Sequence, residues 1–121
     1  MIKFKHAGCP RTLFLLPCLA LLLITGCNSH DDKKADEQAA LLHRLPFAPL
    51  TDSLEQAHGV QAAPLYFRRG DLLSRNNRHE LAAEDFRRSW ELSPEELTGF
   101  RYASTLSIIG KIDSAERLLL D

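Results

Sequence analysis

The stretch that decides the fold is PLYFRRGDLLSRNNRHELAAEDFRRSWELSP, residues 64–94. Apolar residues recur in it every three or four positions, which predicts one helix over residues 64–75 and a second over residues 79–92. Gly70 lies in the middle of the first predicted helix, where glycine costs about 1 kcal/mol relative to alanine. We interpret this glycine, with Ala82 on the second helix, as the place where two antiparallel helices approach closely.

Large and small residues in this stretch are spaced as in a known helical repeat. The residues concerned are Tyr66, Gly70, Leu73, Ala82, Phe86 and Pro94. Their spacing resembles the tetratricopeptide repeat, a helix-turn-helix unit of about 34 residues. Three positions depart from the family signature: Arg69 replaces an apolar residue, Leu73 an aromatic one and Ser89 an alanine. The resemblance implies an all-α fold in which such units stack into a short α-solenoid.

A second, incomplete copy of the unit follows the first. Its predicted first helix, turn and second helix occupy residues 94–109, 110–112 and 113–120. Ala115 takes the position of Ala82, and Leu119 that of Phe86; we call the separation of Ala82 from Ala115 the repeat interval. Because arrays of fewer than about three repeats are marginally stable, we expect either a piece of a longer array, which we favour, or docking of the leucines at 118–120 on a partner or another copy.

Helix-start signals support this assignment. At four places a residue that commonly caps helices is followed three positions later by glutamate. The pairs are Asp52 and Glu55, Asn77 and Glu80, Ser93 and Glu96, and Asp113 and Glu116. Pro94 is expected at the first position of its helix, and Gly59 just beyond the end of the helix that Asp52 caps. Residues 52–58 fit either a separate helix or the second helix of a degenerate preceding repeat.

Residues 1–26 have the composition of a secretory signal peptide. Lys3, Lys5 and Arg11 precede an apolar run over residues 12–24. A helix of that length spans about 20 Å, which is short of the roughly 30 Å hydrocarbon core of a membrane. We therefore predict a cleaved signal rather than a membrane span.

The signal ends in Leu-Ile-Thr-Gly-Cys at residues 23–27. This sequence resembles the bacterial lipobox, which implies that cleavage exposes Cys27 and that acyl chains on it anchor the mature chain. A plain secretory signal with a chance cysteine is the alternative. In such lipoproteins, an aspartate directly after the cysteine favours retention in the inner membrane. Asn28 occupies that position here, which implies the outer membrane, on its periplasmic or surface face. The charged run 29–34 is a solvated tether or, as in lipoproteins of Bacteroidota, an export tag.

These patterns divide the chain into three segments. The first is a signal peptide at 1–26, and the second is a flexible tether and linker at 27–50 that includes a short helix over 35–44. The third is a helical domain at 51–121. Within the helical domain, repeat one is expected at about 63–95 and partial repeat two at about 96–121. Leu45, Phe47 and Leu50 are expected to pin the linker onto the helices.

Composition and charge limit the function. Apolar residues make up 45% and charged residues 26% of the 121 residues, as in an ordinary globular protein. The net charge of −1 would fall to −4 on loss of residues 1–26, because these carry three basic residues and no acidic one. An acidic product gives no electrostatic reason to bind nucleic acid, and none is expected as a partner.

The sequence contains no motif for catalysis, phosphate binding or cofactor attachment. His30, Asp31 and Asp32 are the one metal-like cluster, but neighbours in a tether do not converge on an ion as preorganised ligands do. We therefore predict a protein without enzymatic activity, metal or cofactor.

Basic residues mark the predicted binding surface. Arg68 and Arg101 lie one repeat interval apart, on equivalent turns of the two first helices. Asp71 and Arg75 follow Arg68 on nearly the same face. First helices line a concave groove in the family, so the resemblance implies that these four residues bind an acidic peptide or a terminal carboxylate. The simpler alternative is a solvated helix face on which Arg68 and Asp71 pair.

The predicted function is that of a membrane-anchored lipoprotein whose repeats act as a protein–protein interaction scaffold. Two alternatives remain open at this point. The chain could be a component of an outer-membrane assembly or nutrient-uptake complex, or it could precede a catalytic domain that lies beyond Asp121.

Overall fold

A computed structural model describes residues 29–120 of the chain. Its helices are α1 (Ser29–Leu42), α2 (Ala48–Gln56), α3 (Ala63–Arg75), α4 (His79–Leu92), α5 (Glu96–Ile108) and α6 (Ile112–Leu120), with a 3-10 helix (Gly59–Ala62) before α3. No strand occurs in this range, so the predicted all-α fold is confirmed. The predicted signal peptide and Cys27 lie outside the described residues. The packed body begins at Ala35, and residues 29–34 belong to a separate unit.

The antiparallel pair of α3 and α4 forms the centre of the body, as predicted. Leu73, Ala82 and Phe86 are fully buried between these helices and their neighbours. A Cβ atom added to Gly70 would lie 3.0 Å from the Phe86 ring and 3.3 Å from the Asp85 Cβ. The close approach predicted at Gly70 is therefore confirmed. Its contacts, however, are Phe86 and Asp85 rather than Ala82.

α5 packs against α4 at a second glycine that sequence reasoning did not single out. A Cβ atom added to Gly99 would lie only 2.7 Å from the Trp90 ring. A glycine is needed there because any side chain would displace the indole. Gly99 thus fixes how closely α5 approaches α4.

Buried small and aliphatic residues recur at the repeat interval. Ala103, Leu106 and Ala115 form a second apolar cluster between α5 and α6. They correspond in sequence to Gly70, Leu73 and Ala82, which are also buried. The predicted equivalence of Leu119 and Phe86 does not extend to burial: Leu119 is 62% exposed and Phe86 1%. The reason is that Phe47 belongs to the cluster around Phe86, whereas no described element covers Leu119.

α1 includes the charged run that was predicted to be a flexible tether. It starts at Ser29 and ends at Leu42, whereas the predicted helix covered residues 35–44. Asp31 and Asp32 lie in its first turn, where the partial positive charge of a helix amino terminus favours carboxylates. Residues 29–34 are thus helical.

α2 starts earlier than its predicted cap. It begins at Ala48, with Phe47 as the N-cap residue and a proline in the first turn. Asp52 and Glu55 consequently lie inside the helix, and the predicted capping box there is wrong. Proline sets the backbone dihedral of a first helical turn in advance, which explains the earlier start. Phe47 is buried as predicted, but Leu45 is exposed and does not pin the linker.

The other predicted caps are also wrong. Asn77 has a φ of 57° and belongs to the turn, since asparagine tolerates the left-handed region. The N-cap residues of α4 and α5 are Arg78 and Glu95, and neither side chain makes a capping hydrogen bond. Pro94 therefore precedes α5 instead of opening it. The last predicted cap fails because α6 already begins at Ile112, immediately before Asp113.

Gly59 is not the residue that ends α2. That helix ends at Gln56, and its C-cap Ala57 is extended. Gly59 instead begins the 3-10 helix with a φ of 59°, a conformation that glycine adopts without strain. The connection from α2 to α3 is therefore a short helical turn.

Candidate functional site

Corresponding faces of α3 and α5 form the candidate site. The residues on the α3 face are Pro64, Phe67, Arg68, Asp71 and Arg75, and those on the α5 face are Leu97, Phe100, Arg101, Ser104 and Ile108. At 3.6 residues per turn, each set occupies an arc of about 100° on its helix. Every residue of the second set follows its counterpart by the repeat interval. The two helices thus present the same face, position by position.

Asp71 joins the two faces. Its Oδ2 lies 2.8 Å from Nη2 of Arg75 on the same helix, and its Oδ1 lies 3.6 Å from Nη2 of Arg101 on α5. Arg68 lines an open pocket with Asp71 and Arg75, and Leu50 of α2 closes the other side of that pocket. The four residues predicted as a binding surface are therefore brought together. The pair of Arg68 with Asp71 that the simpler interpretation required is not formed.

The surface formed by these two faces of α3 and α5, which we call the groove, carries an excess of positive charge. The set holds three guanidinium groups and one carboxylate, so two positive charges remain uncompensated within it. Among residues 29–120, Arg68 has no ion-pair partner. A guanidinium has five N–H donors in a fixed fork, and pairing with one carboxylate oxygen leaves most of them free. The arrangement can therefore accept one or more further carboxylates in bidentate fashion.

A buried ion pair lies below the groove. Arg69 donates two hydrogen bonds to Asp85, from Nε to Oδ2 at 2.7 Å and from Nη2 to Oδ1 at 2.8 Å. Its Nη1 donates to Oγ1 of Thr51 at 3.1 Å, and Thr51 donates in turn to the carbonyl of Leu42 at 2.8 Å. The Tyr66 ring covers the guanidinium, with 5.7 Å between Cζ of Arg69 and the centre of the ring. These bonds connect the end of α1 with α2, α3 and α4.

Burial raises the pKa of the Asp85 carboxyl above its ordinary value, and the hydrogen bonds and charge of Arg69 oppose that shift. Sequence reasoning recorded Arg69 only as a departure from the repeat signature. A signal for the pair was nevertheless present. A charged residue at a position that the core buries requires an opposite charge, and Asp85 precedes the buried Phe86 on the facing helix.

Between residues 29 and 120, no three His, Cys, Asp or Glu side chains lie close enough to share a metal ion. No helix in the same range has the length and apolar composition needed to cross a bilayer.

Comparison of the chain with protein-family models, with curated proteins and with solved structures finds no match.

Proposed function

We propose that this chain is a protein-interaction module whose groove between α3 and α5 binds an acidic segment of a partner protein. The observation that carries the proposal is the position of Asp71, which pairs with Arg75 and Arg101 from two helices while Arg68 lies beside it. One carboxylate among three guanidinium groups leaves the groove positive. Charge complementarity then favours an acidic ligand.

We further propose that α3–α4 and α5–α6 are two tetratricopeptide-type repeats of a short solenoid. Support comes from the recurrence of buried residues and of the groove face at the repeat interval. In such an array the first helix of each unit lines one continuous surface. The module would act by presenting this surface and would need no catalytic group or cofactor.

The anchoring part of the proposal rests on the sequence around Cys27. Cleavage before this cysteine and its acylation would tether the module to an outer membrane. The intact mass of the protein from a native membrane preparation tests this directly. A mass that includes acyl chains and begins at Cys27 is the expected result, and an unacylated mass would remove the membrane from the proposal.

The ligand part is tested with two labelled peptides of equal length, one rich in glutamate and one in which glutamine replaces every glutamate. Fluorescence anisotropy should show tighter binding of the glutamate peptide to the full chain, with an affinity that falls as salt is added. The double variant Arg68→Glu and Arg101→Glu should weaken that binding about tenfold or more, because it reverses two groove charges. Arg117→Glu, an exposed arginine on α6, is the matched control and should leave binding unchanged. Equal affinity for the two peptides would refute the proposed ligand class.

A further inference from the structure

The α5 half of the groove is mostly apolar, whereas the α3 half is mostly charged. Leu97, Phe100 and Ile108 are 58%, 63% and 59% exposed on the outer face of α5. The corresponding face of α3 carries the ion pair of Asp71 with Arg75. The groove therefore has two chemically different sides.

The two sides meet at Arg101. This residue follows Phe100 on α5 and shares its face with Leu97 and Ile108, yet its guanidinium reaches Asp71 on α3. Positive charge consequently runs along the boundary of the apolar row. A ligand that covers the row also meets the guanidinium of Arg101 at that boundary. It must either place an acidic group there or forgo an ion pair with Arg101.

The apolar row is held outward by the packing of the rest of α5. Thr98, Ala103 and Leu106 are buried on the opposite side of the helix. Gly99 lies against Trp90 of α4. The row is therefore on the side of α5 that faces away from α4.

We infer that the groove takes an amphipathic helix with an acidic flank. This inference rests on the proposed function and specifies its ligand. The row from Leu97 to Ile108 is about 16 Å long at 1.5 Å per residue, which matches about three turns of a partner helix. Apolar residues of the partner at positions i, i+3 or i+4, and i+7 lie on the row, and its acidic residues face Arg68 and Arg101. Binding in this manner joins burial of the apolar row with compensation of the excess groove charge.

Four labelled peptides of equal length test the inference by fluorescence anisotropy with the purified full chain. The first is a glutamate-rich helix with leucines on one face, and the second is the same composition scrambled so that no apolar face forms. The third replaces the leucines with serine, and the fourth replaces the glutamates with glutamine. The first peptide should bind about tenfold or more tightly than each of the others, the difference that about 1.4 kcal/mol produces.

Phe100→Ser should reduce binding of the first peptide to the level of the serine peptide. Leu45→Ser, which removes an exposed leucine from the linker before α2, is the matched control and should have no effect. If the serine or scrambled peptide binds as tightly as the first, the inference is overturned while the proposed acidic ligand stands. If the glutamine peptide binds as tightly, the proposed function and the inference both fail, and they also fail if no peptide binds.

A second copy of the chain is the other occupant that the test distinguishes. Sedimentation velocity over a range of concentrations measures self-association of the full chain and of Phe100→Ser. A monomer at concentrations that saturate the first peptide is expected. A dimer that Phe100→Ser abolishes and that the first peptide dissociates would overturn the inference in favour of self-association.

Discussion

Breaking the buried pair of Arg69 and Asp85 should cost far more stability than replacing both residues together. Their side chains are 10% and 5% exposed, and two hydrogen bonds of 2.7 and 2.8 Å join them. Removing one member leaves the other charge buried without compensation, at a cost of about 3–5 kcal/mol. Replacing both with apolar residues of similar volume avoids that cost, because no charge then remains in the interior.

The perturbation is a double-mutant cycle of Arg69→Met, Asp85→Leu and the double variant. Urea unfolding followed by far-ultraviolet circular dichroism gives the free energy of unfolding of each protein. A domain of this size has a total stability of about 5–15 kcal/mol, so either single change removes a large share of it. The expected coupling energy is about 3 kcal/mol or more, and the double variant should fold even if a single variant does not.

Thr51→Val serves as the control for the cycle. It removes the hydroxyl that accepts from Nη1 of Arg69 but leaves the pair with Asp85 intact. The expected cost is about 1–3 kcal/mol, as for other lost buried hydrogen bonds. Additive costs of the two single changes in the cycle would refute the reasoning, since each residue would then act through its own contacts and not through the pair.

Further predictions concern the glycine contacts and the groove. Gly99→Ala should lower the free energy of unfolding by about 1–3 kcal/mol, because the new methyl group meets Trp90 at 2.7 Å. Gly70→Ala should cost less, since its closest contact is 3.0 Å and the substitution gains helix propensity; urea unfolding of both variants gives the order. Asp71→Asn should cost less than about 1 kcal/mol, because its arginine partners are largely exposed, yet it should tighten binding of the glutamate-rich peptide by removing the competing carboxylate.

Local periodicity was sufficient to predict the positions of the central helices. The predicted helix over residues 79–92 has the bounds of α4, and α3 begins at Ala63, immediately before its predicted start. Both helices have a clear apolar stripe, and Gly70 correctly indicated close packing. The clustering of the groove residues could also be predicted, because the repeat interval places Arg68 and Arg101 on the same turn of equivalent helices.

Helix starts could not be predicted in the same way. Each depends on a competition between a side-chain cap and the backbone conformation of the preceding loop. At Asn77 the loop requires a residue in the left-handed region. At α2 the proline in the first turn lets the helix start earlier in the chain than the predicted cap. Sequence spacing alone does not show which of the two determines the start.

The partners of Asp71 were missed for a different reason. Spacing along α3 offers Arg68 and Arg75 as equal candidates, one turn away on either side. The structure selects Arg75 and adds Arg101 from another helix. Side-chain direction and the distance between helices decide such a choice, and neither can be read from a linear pattern.

The hydrogen-bonded chain from Asp85 through Arg69 to Thr51 has a consequence for exchanging parts of this molecule. The pair of α5 and α6 has Tyr102 at the position that corresponds to Arg69 in the pair of α3 and α4, so the two pairs are not interchangeable even though their small buried residues correspond. A graft of α3 and α4 elsewhere would need a hydroxyl on the helix that precedes it, and any other neighbour would leave the guanidinium short of an acceptor. The network thus requires that α3 and α4 directly follow α2.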